Sequence, residues 1–113
     1  MIAKFTFGTI TVGSQRYHND IKIIDGEVVA DWWRDSGHTV DLVDILDILQ
    51  RKPDMIVIGK GDPGYMLVAD GLREYVENHK IELIEEKTPT AIDTFNRLFH
   101  EGRKVAGAFH LTC

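Results

Sequence analysis

The sequence has a single cysteine, Cys113, at its last position. No intrachain disulfide can form, which sets the chain apart from the disulfide-stabilised secreted class. Long apolar stretches are also missing. No run approaches the roughly 18 residues that a membrane-spanning helix needs. Basic clusters are absent too: the 13 Lys and Arg are scattered, the net charge is −5, and the densest basic spot is "GRK" at 102–104. Nucleic acid and anionic membranes are therefore not expected partners. There is no low-complexity tract, linker or internal repeat. The opening "MIAKFTFGTITV" lacks the charged-then-apolar layout of a signal peptide and the Arg-rich character of a transit peptide, so a cytoplasmic location is expected. What remains is a chain 43% hydrophobic and 113 residues long, enough for one ordinary core and one domain, 1–113. It is too short for a complete two-halved dinucleotide-binding fold.

The first third reads as β-structure. "AKFTFGTITV" alternates, with Phe5 and Phe7 on one side and Lys4 and Thr6 on the other. "RYHNDIKII" reads as a second strand. Asp25-Gly26 is a hairpin signal, and "EVVADWWR" a third strand, completing an antiparallel meander. The pattern then changes. "VDLVDILDILQR" places Leu42, Ile45, Leu46 and Leu49 on one helical face, ended by Pro53. "DMIVIG" is short and continuously apolar, as in a strand buried on both faces. Asp70 is a candidate N-cap for a helix over "GLREYVENHK", and "IELI" is a further strand. Thr88-Pro89 opens a helix that Gly102 stops, and "KVAGAFHL" reads as a small-residue central strand. A three-layer α/β domain follows, with a mixed sheet and three helices.

Gly59, Gly61 and Gly64 spell G-x-G-x-x-G directly after the apolar strand. A dinucleotide site needs that loop to enter a helix at once, so that the helix N-terminus meets the phosphates. Pro63 and the extended "YMLV" stand in the way, and no dinucleotide or other cofactor is expected. A more modest ligand site remains open. The "MIVI" and "IELI" strands end on one sheet edge, the helix opening at Thr88 aims N–H groups there, and Lys60 adds a positive charge. A plain glycine turn that only reverses the chain is the expected reading; a site for a small anionic ligand is the alternative, against which Asp62, Glu85 and Glu86 count.

Other residues invite chemistry less strongly. Trp32 and Trp33 are neighbours and should face opposite ways, one into the core and the other beside Arg34, either packed under the loop or open to a partner protein. Asp41, Asp44 and Asp47 read as a solvated helix face, with no metal expected. His110 and Cys113 are placed too poorly on a strand to act as base and nucleophile. Asn96 is an awkward mid-helix residue, suited either to a contact between elements or to a pocket lining.

Four segments together resemble a known family of small single domains: "FGTITVGSQRYHNDI", "WWRDSGHTVDLVDI", "PDMIVIGKGDPG" and "TPTAIDTFNRLFHEGRKVAGAFHLTC". That family, long described as conserved hypothetical proteins, includes a mitochondrial NADH dehydrogenase (complex I) assembly factor and an adipogenesis-associated protein. The resemblance implies a three-layer fold around a mixed five-stranded sheet and implies no particular reaction. Its pattern is clearest at Gly59, Gly61, Thr88, Asn96 and Arg103. With no nucleophile, acid–base pair or metal cluster in view, a non-enzymatic protein-binding or assembly-type module is expected. Trp33, Arg34 and His38 are its candidate contacts, on a monomer or a homodimer. The alternative is a small-ligand protein, or an enzyme, built on Gly59, Lys60, Gly61, Thr88, Asn96 and Arg103.

Overall fold

A computed structural model describes residues 1–113. Its centre is a mixed five-stranded sheet made of β4 (Ile21–Ile24), β5 (Glu27–Val29), β7 (Met55–Lys60), β9 (Glu82–Glu86) and β10 (Val105–His110), in the order β5-β4-β10-β7-β9. β10 pairs antiparallel with β4 and parallel with β7, and β7 pairs parallel with β9. β10 is thus central and wholly buried. Its small residues follow from that position. A Cβ on Gly107 would meet the rings of Phe109 and Phe95 at 2.6 and 3.0 Å, so glycine lets these two aromatics close over the strand.

Two cores lie on the two faces of the sheet. On one face, α3 (Thr88–His100) packs Ala91, Ile92, Phe95 and Leu98 against Val57, Val105 and Phe109. A separate three-stranded antiparallel sheet, β1 (Ile2–Thr6), β2 (Thr9–Val12) and β3 (Gln15–Tyr17), adds Ile2, Ile10 and Val12 to that core. On the other face, α1 (Leu46–Gln50), α2 (Asp70–Asn78) and Trp32 cover Ile56, Ile58, Ala106 and Ala108. A short parallel pair, β6 (Thr39–Val40) and β8 (Leu67–Val68), closes that side. This is the expected three-layer α/β architecture with a mixed five-stranded sheet, an N-terminal antiparallel meander and three helices.

Several elements differ from the sequence reading. Residues 4–12 form a hairpin rather than one strand, because Gly8, at φ +85°, reverses the chain and leaves Phe7 62% exposed. Residues 16–24 divide between two sheets, with His18–Asp20 as the break. Asp31 has φ +56°, and only 27–29 of the third strand pair. The helix over 40–51 begins as a 3-10 turn (Leu42–Ile45), which shifts the buried face to Ile45 and Ile48. Of the three acidic residues expected on a solvated face, Asp41 is exposed and the Asp47 side chain is 42% exposed, but Asp44 is not part of that face. Asp44 is buried and accepts from the Asp35 and Asp41 N–H groups, Asp41 caps the turn, and Asp47 pairs with Lys22 at 2.7 Å. α3 begins at Thr88, with Lys87 at the N-cap, which leaves the Thr88 hydroxyl free for another contact.

Candidate functional site

The parallel strands β7, β9 and β10 end on one edge of the sheet, where ligands gather in open α/β folds. Here that edge is filled by the chain itself. The Thr88 hydroxyl accepts from Gly61 N at 2.9 Å and donates to His110 O at 2.6 Å. Gly61 O accepts from Thr88 N at 2.9 Å, so the first N–H of α3 is already engaged. Asp62 N donates to Thr112 O at 2.9 Å, and Tyr65 N to Cys113 O at 3.0 Å. A Cβ on Gly59 would lie 2.9 Å from Thr88 Oγ1, and one on Gly61, at φ +91°, would overlap Thr112 O. The two glycines let the loop, the start of α3 and residues 110–113 pack backbone to backbone.

Beside this seam lies a buried charged cluster. The register pairs Phe109 with Ile21 across antiparallel β10 and β4, which places Asp20, just before β4, opposite His110. Asp20 Oδ2 sits 2.7 Å from His110 Nδ1 and 2.8 Å from Arg34 Nη2, and Oδ1 accepts from Leu111 N at 2.7 Å. The three side chains are only 9%, 7% and 5% exposed. Trp32 N donates to Asp20 O, which brings the following residues over the cluster. The Trp32 indole donates to Asp44 O at 2.9 Å and lies beneath the Arg34 guanidinium at 4.5 Å, a cation–π contact. Arg34 Nε donates to Gly37 O at 2.6 Å.

Burial by itself pushes the Asp20 carboxyl upward. The hydrogen bonds from His110, Leu111 N and Arg34 outweigh it and hold the carboxyl below its ordinary value. With its proton on Nδ1 the imidazole donates to this charged carboxylate at 2.7 Å, and Arg34 Nη2 lies 3.3 Å from the same nitrogen. Nε2 is then the open position, 3.4 Å from Thr112 Oγ1. The His38 ring meets His110 edge-on at 5.3 Å. A cleft of about 230 Å³ opens onto the cluster, lined by His18, Asn19, Trp33, Thr112 and the cluster itself. No three His, Cys, Asp or Glu side chains are grouped to hold a metal ion.

The model of a family described as protein of unknown function (DUF498/DUF598) matches residues 2–110. The chain belongs to that family. Among solved structures, it resembles a conserved hypothetical protein of Pyrococcus horikoshii at 22% identity and TM-score 0.90, covering 100% of this chain and 99% of that one. It also resembles a Xanthomonas campestris protein at 20% identity and TM-score 0.81, covering 98% and 83%. A Bordetella pertussis protein described as a Mth938-like domain matches at 18% identity and TM-score 0.70, covering 97% and 84%. At these identities the likeness shows the fold alone. Family membership brings no assigned reaction, so function has to be argued from the residues.

The candidate residues fall in three places. Gly59, Gly61 and Thr88 meet at the seam, with Lys60 half-buried beside them; the Glu85 carboxyl is held below its ordinary value by the hydrogen bonds it accepts from Arg73 first, with Lys60 adding a smaller pull. Asn96 lies elsewhere: its side chain accepts from Ile2 N at 2.9 Å and donates to Ile2 O at 2.8 Å, tying α3 to β1. Arg103 is exposed beyond the far end of the 13-residue α3, about 20 Å from Thr88 by helical rise. The structure therefore does not bring Asn96 or Arg103 to the glycine loop. Of the other group, Trp33 is 71% exposed, Arg34 turns inward, and His38 touches His110. Asp20 and His110 were not paired by the sequence reading, being 90 positions apart. Only the antiparallel pairing of β4 with β10 could have revealed them.

Proposed function

We propose that this domain is a non-enzymatic protein-binding or assembly-type module whose contact surface surrounds residues 110–113. One observation carries the reading: the four most exposed large apolar residues stand on segments tied to residues 110–113 or to His38 beside them. Trp33, Tyr65, Leu67 and Phe7 are 71%, 68%, 65% and 62% exposed. Gly8 N donates to Leu111 O at 2.8 Å, which holds Phe7 next to Leu111. Trp33 lines the cleft with Leu111 and Thr112. Tyr65 is bonded through its N–H to Cys113 O, and Leu67 through its N–H to His38 O at 2.8 Å. Rigid exposed aromatics around a well-hydrogen-bonded frame are the make-up of an interface hot spot.

The charge around the collar selects the partner. Asp31, Asp35 and Asp62 neighbour Trp33 and Tyr65 in sequence, and the chain carries −5 overall. A second copy would bring like charges together across a two-fold axis. A different protein with an apolar contact segment and a basic rim fits better. The test places a photo-crosslinking residue at position 33 and, as a control, at position 103. A protein joined from 33 and not from 103, whose binding weakens at least tenfold in Trp33→Ala and falls with salt, supports the module. Equal adducts from both positions, adducts only with a second copy, or affinity unchanged in Trp33→Ala would overturn it.

A further inference from the structure

We propose that the cleft beside His110 binds a small oxyanion, a carboxylate or a phosphate group, and that His110 Nε2 takes up a proton as the anion binds. The cleft lies within the collar and shares Trp33, Leu111 and Thr112 with it, but anion binding is argued from the buried cluster and does not rest on the protein contact.

The charge count comes first. Asp20 and Arg34 cancel, so the cluster is neutral while the imidazole is neutral. The Asp20 carboxylate already accepts three hydrogen bonds: His110 Nδ1 and Arg34 Nη2 share one oxygen and Leu111 N takes the other. Its single negative charge is already matched by Arg34. Protonating Nε2 therefore places one unbalanced positive charge among side chains more than nine-tenths buried, a costly state without a counter-ion. Arg34 Nη1 is itself buried and bonded to no protein group, so the guanidinium has donor capacity unspent. An oxyanion in the cleft would accept from Nε2–H and from the Thr112 hydroxyl, which already stands 3.4 Å from Nε2. It would balance the added charge as well.

The surroundings favour the same ligand. The groups facing His110 are Asp20 and Arg34, His38 edge-on at 5.3 Å, His18 across the cleft and Lys60 opposite in the β7 register. Asp62 is held nearby through its N–H bond to Thr112 O. Asn19, on the cleft wall, donates to Asp31 at 2.8 Å, and His18 Nδ1 meets Thr9 Oγ1 at 3.3 Å. The one carboxylate of the cluster is neutralised within it, and the remaining polar lining can donate. A cleft of about 230 Å³ has room for a group of several heavy atoms, at about 30 Å³ per water-sized unit. Uptake of proton and anion together is thermodynamic linkage: each raises the affinity for the other.

The experiment titrates the isotopically labelled full chain with sodium acetate and, separately, with inorganic phosphate at constant ionic strength. It follows the His110 imidazole nitrogens and the amides of Asp20, Leu111 and Thr112 by NMR. Acetate keeps its own charge between about pH 6 and about pH 8, across which an imidazole changes charge, so it carries the pH comparison. The expected result is saturable shifts centred on these residues, binding several-fold tighter at the lower pH, and Nε2 protonated in the bound state. Binding should disappear in His110→Gln, weaken a few-fold in Thr112→Val and persist in Arg103→Gln. Response to both anions assigns a general oxyanion site, and response to phosphate alone assigns a phosphate-bearing ligand. No saturable shift with either anion, affinity independent of pH, or binding retained in His110→Gln would overturn the proposal. Should His110→Gln fail to fold, the Nε2 protonation state of the wild type and the Thr112→Val affinity decide.

Discussion

Replacing Asp20 by Ala tests how much the buried cluster contributes to the fold. The substitution removes one carboxylate and leaves three donors without their acceptor: Arg34 Nη2, His110 Nδ1 and Leu111 N. The largest cost is the stranded guanidinium, which is only 5% exposed. Removing one member of a buried pair costs about 3–5 kcal/mol, because the other charge stays desolvated. A 113-residue domain has on the order of 6–17 kcal/mol in total, so the loss is a large share. With an unfolding entropy of about 2.1 cal/mol/K per residue, this length gives about 0.24 kcal/mol/K, and Tm should fall by about 12–20 °C. The pH dependence adds a second constraint. The folded Asp20 carboxyl titrates below its unfolded value. Its contribution is therefore complete above the unfolded value of about 4 and is lost as pH falls through the lower folded value. Urea unfolding of both proteins at neutral pH and through the acid range measures this directly. The gap between wild type and Asp20→Ala should be widest near neutrality and should narrow below about pH 4. A neutral-pH loss under about 1 kcal/mol, or a gap that does not narrow in acid, would refute the account of the cluster.

Four further outcomes follow from named contacts. Thr88→Val keeps the side-chain shape but strands Gly61 N and His110 O, and should cost about 1–3 kcal/mol in denaturant unfolding. Gly61→Ala forces a side chain at φ +91° into Thr112 O; amide exchange at Asp62, bonded to that oxygen, should speed up sharply, and unchanged protection would contradict the packed seam. Asn96→Leu gives up both bonds to Ile2 and should loosen β1 by about 1–3 kcal/mol, visible as faster exchange confined to the N-terminal sheet. Trp32→Ala should cost about 3–5 kcal/mol, since that ring is buried and supports Arg34, whereas Trp33→Ala should stay within about 0.5 kcal/mol in the same thermal melts.

Much of the scaffold was legible because its signals are local. Asp25 and Gly26 take φ of +51° and +79°, the hairpin geometry that the dipeptide favours. "MIVI" is apolar because β7 is buried on both faces. Pro89 near the start of α3 and Gly102 beyond its end, at φ +77°, bound that helix by backbone sterics. Where two local signals compete, the sequence leaves the outcome open. Alternation in residues 4–12 persists through a hairpin, so it hides the turn at Gly8. Helical spacing in 42–49 leaves open whether the first turn winds as 3-10, and that choice decides whether Leu46 or Ile48 is buried.

By itself, then, the sequence determined which stretches are extended and which wind, where α3 stops, and that the strands and helices would assemble into an α/β domain. It also determined that the glycine loop leaves a strand without entering a helix. Tertiary structure decided what those segments do for one another. It spent Gly59 and Gly61 on the chain's own backbone, gave the Thr88 hydroxyl to Gly61 and His110, and turned Arg34 inward while leaving Trp33 outside. Above all it brought Asp20 to His110. The physical reason is range. Turn preference, capping and burial period act over a few residues and are written where they act. A hydrogen bond between positions 20 and 110 exists only because β4 happens to lie antiparallel beside β10, and no short stretch of either strand carries that fact.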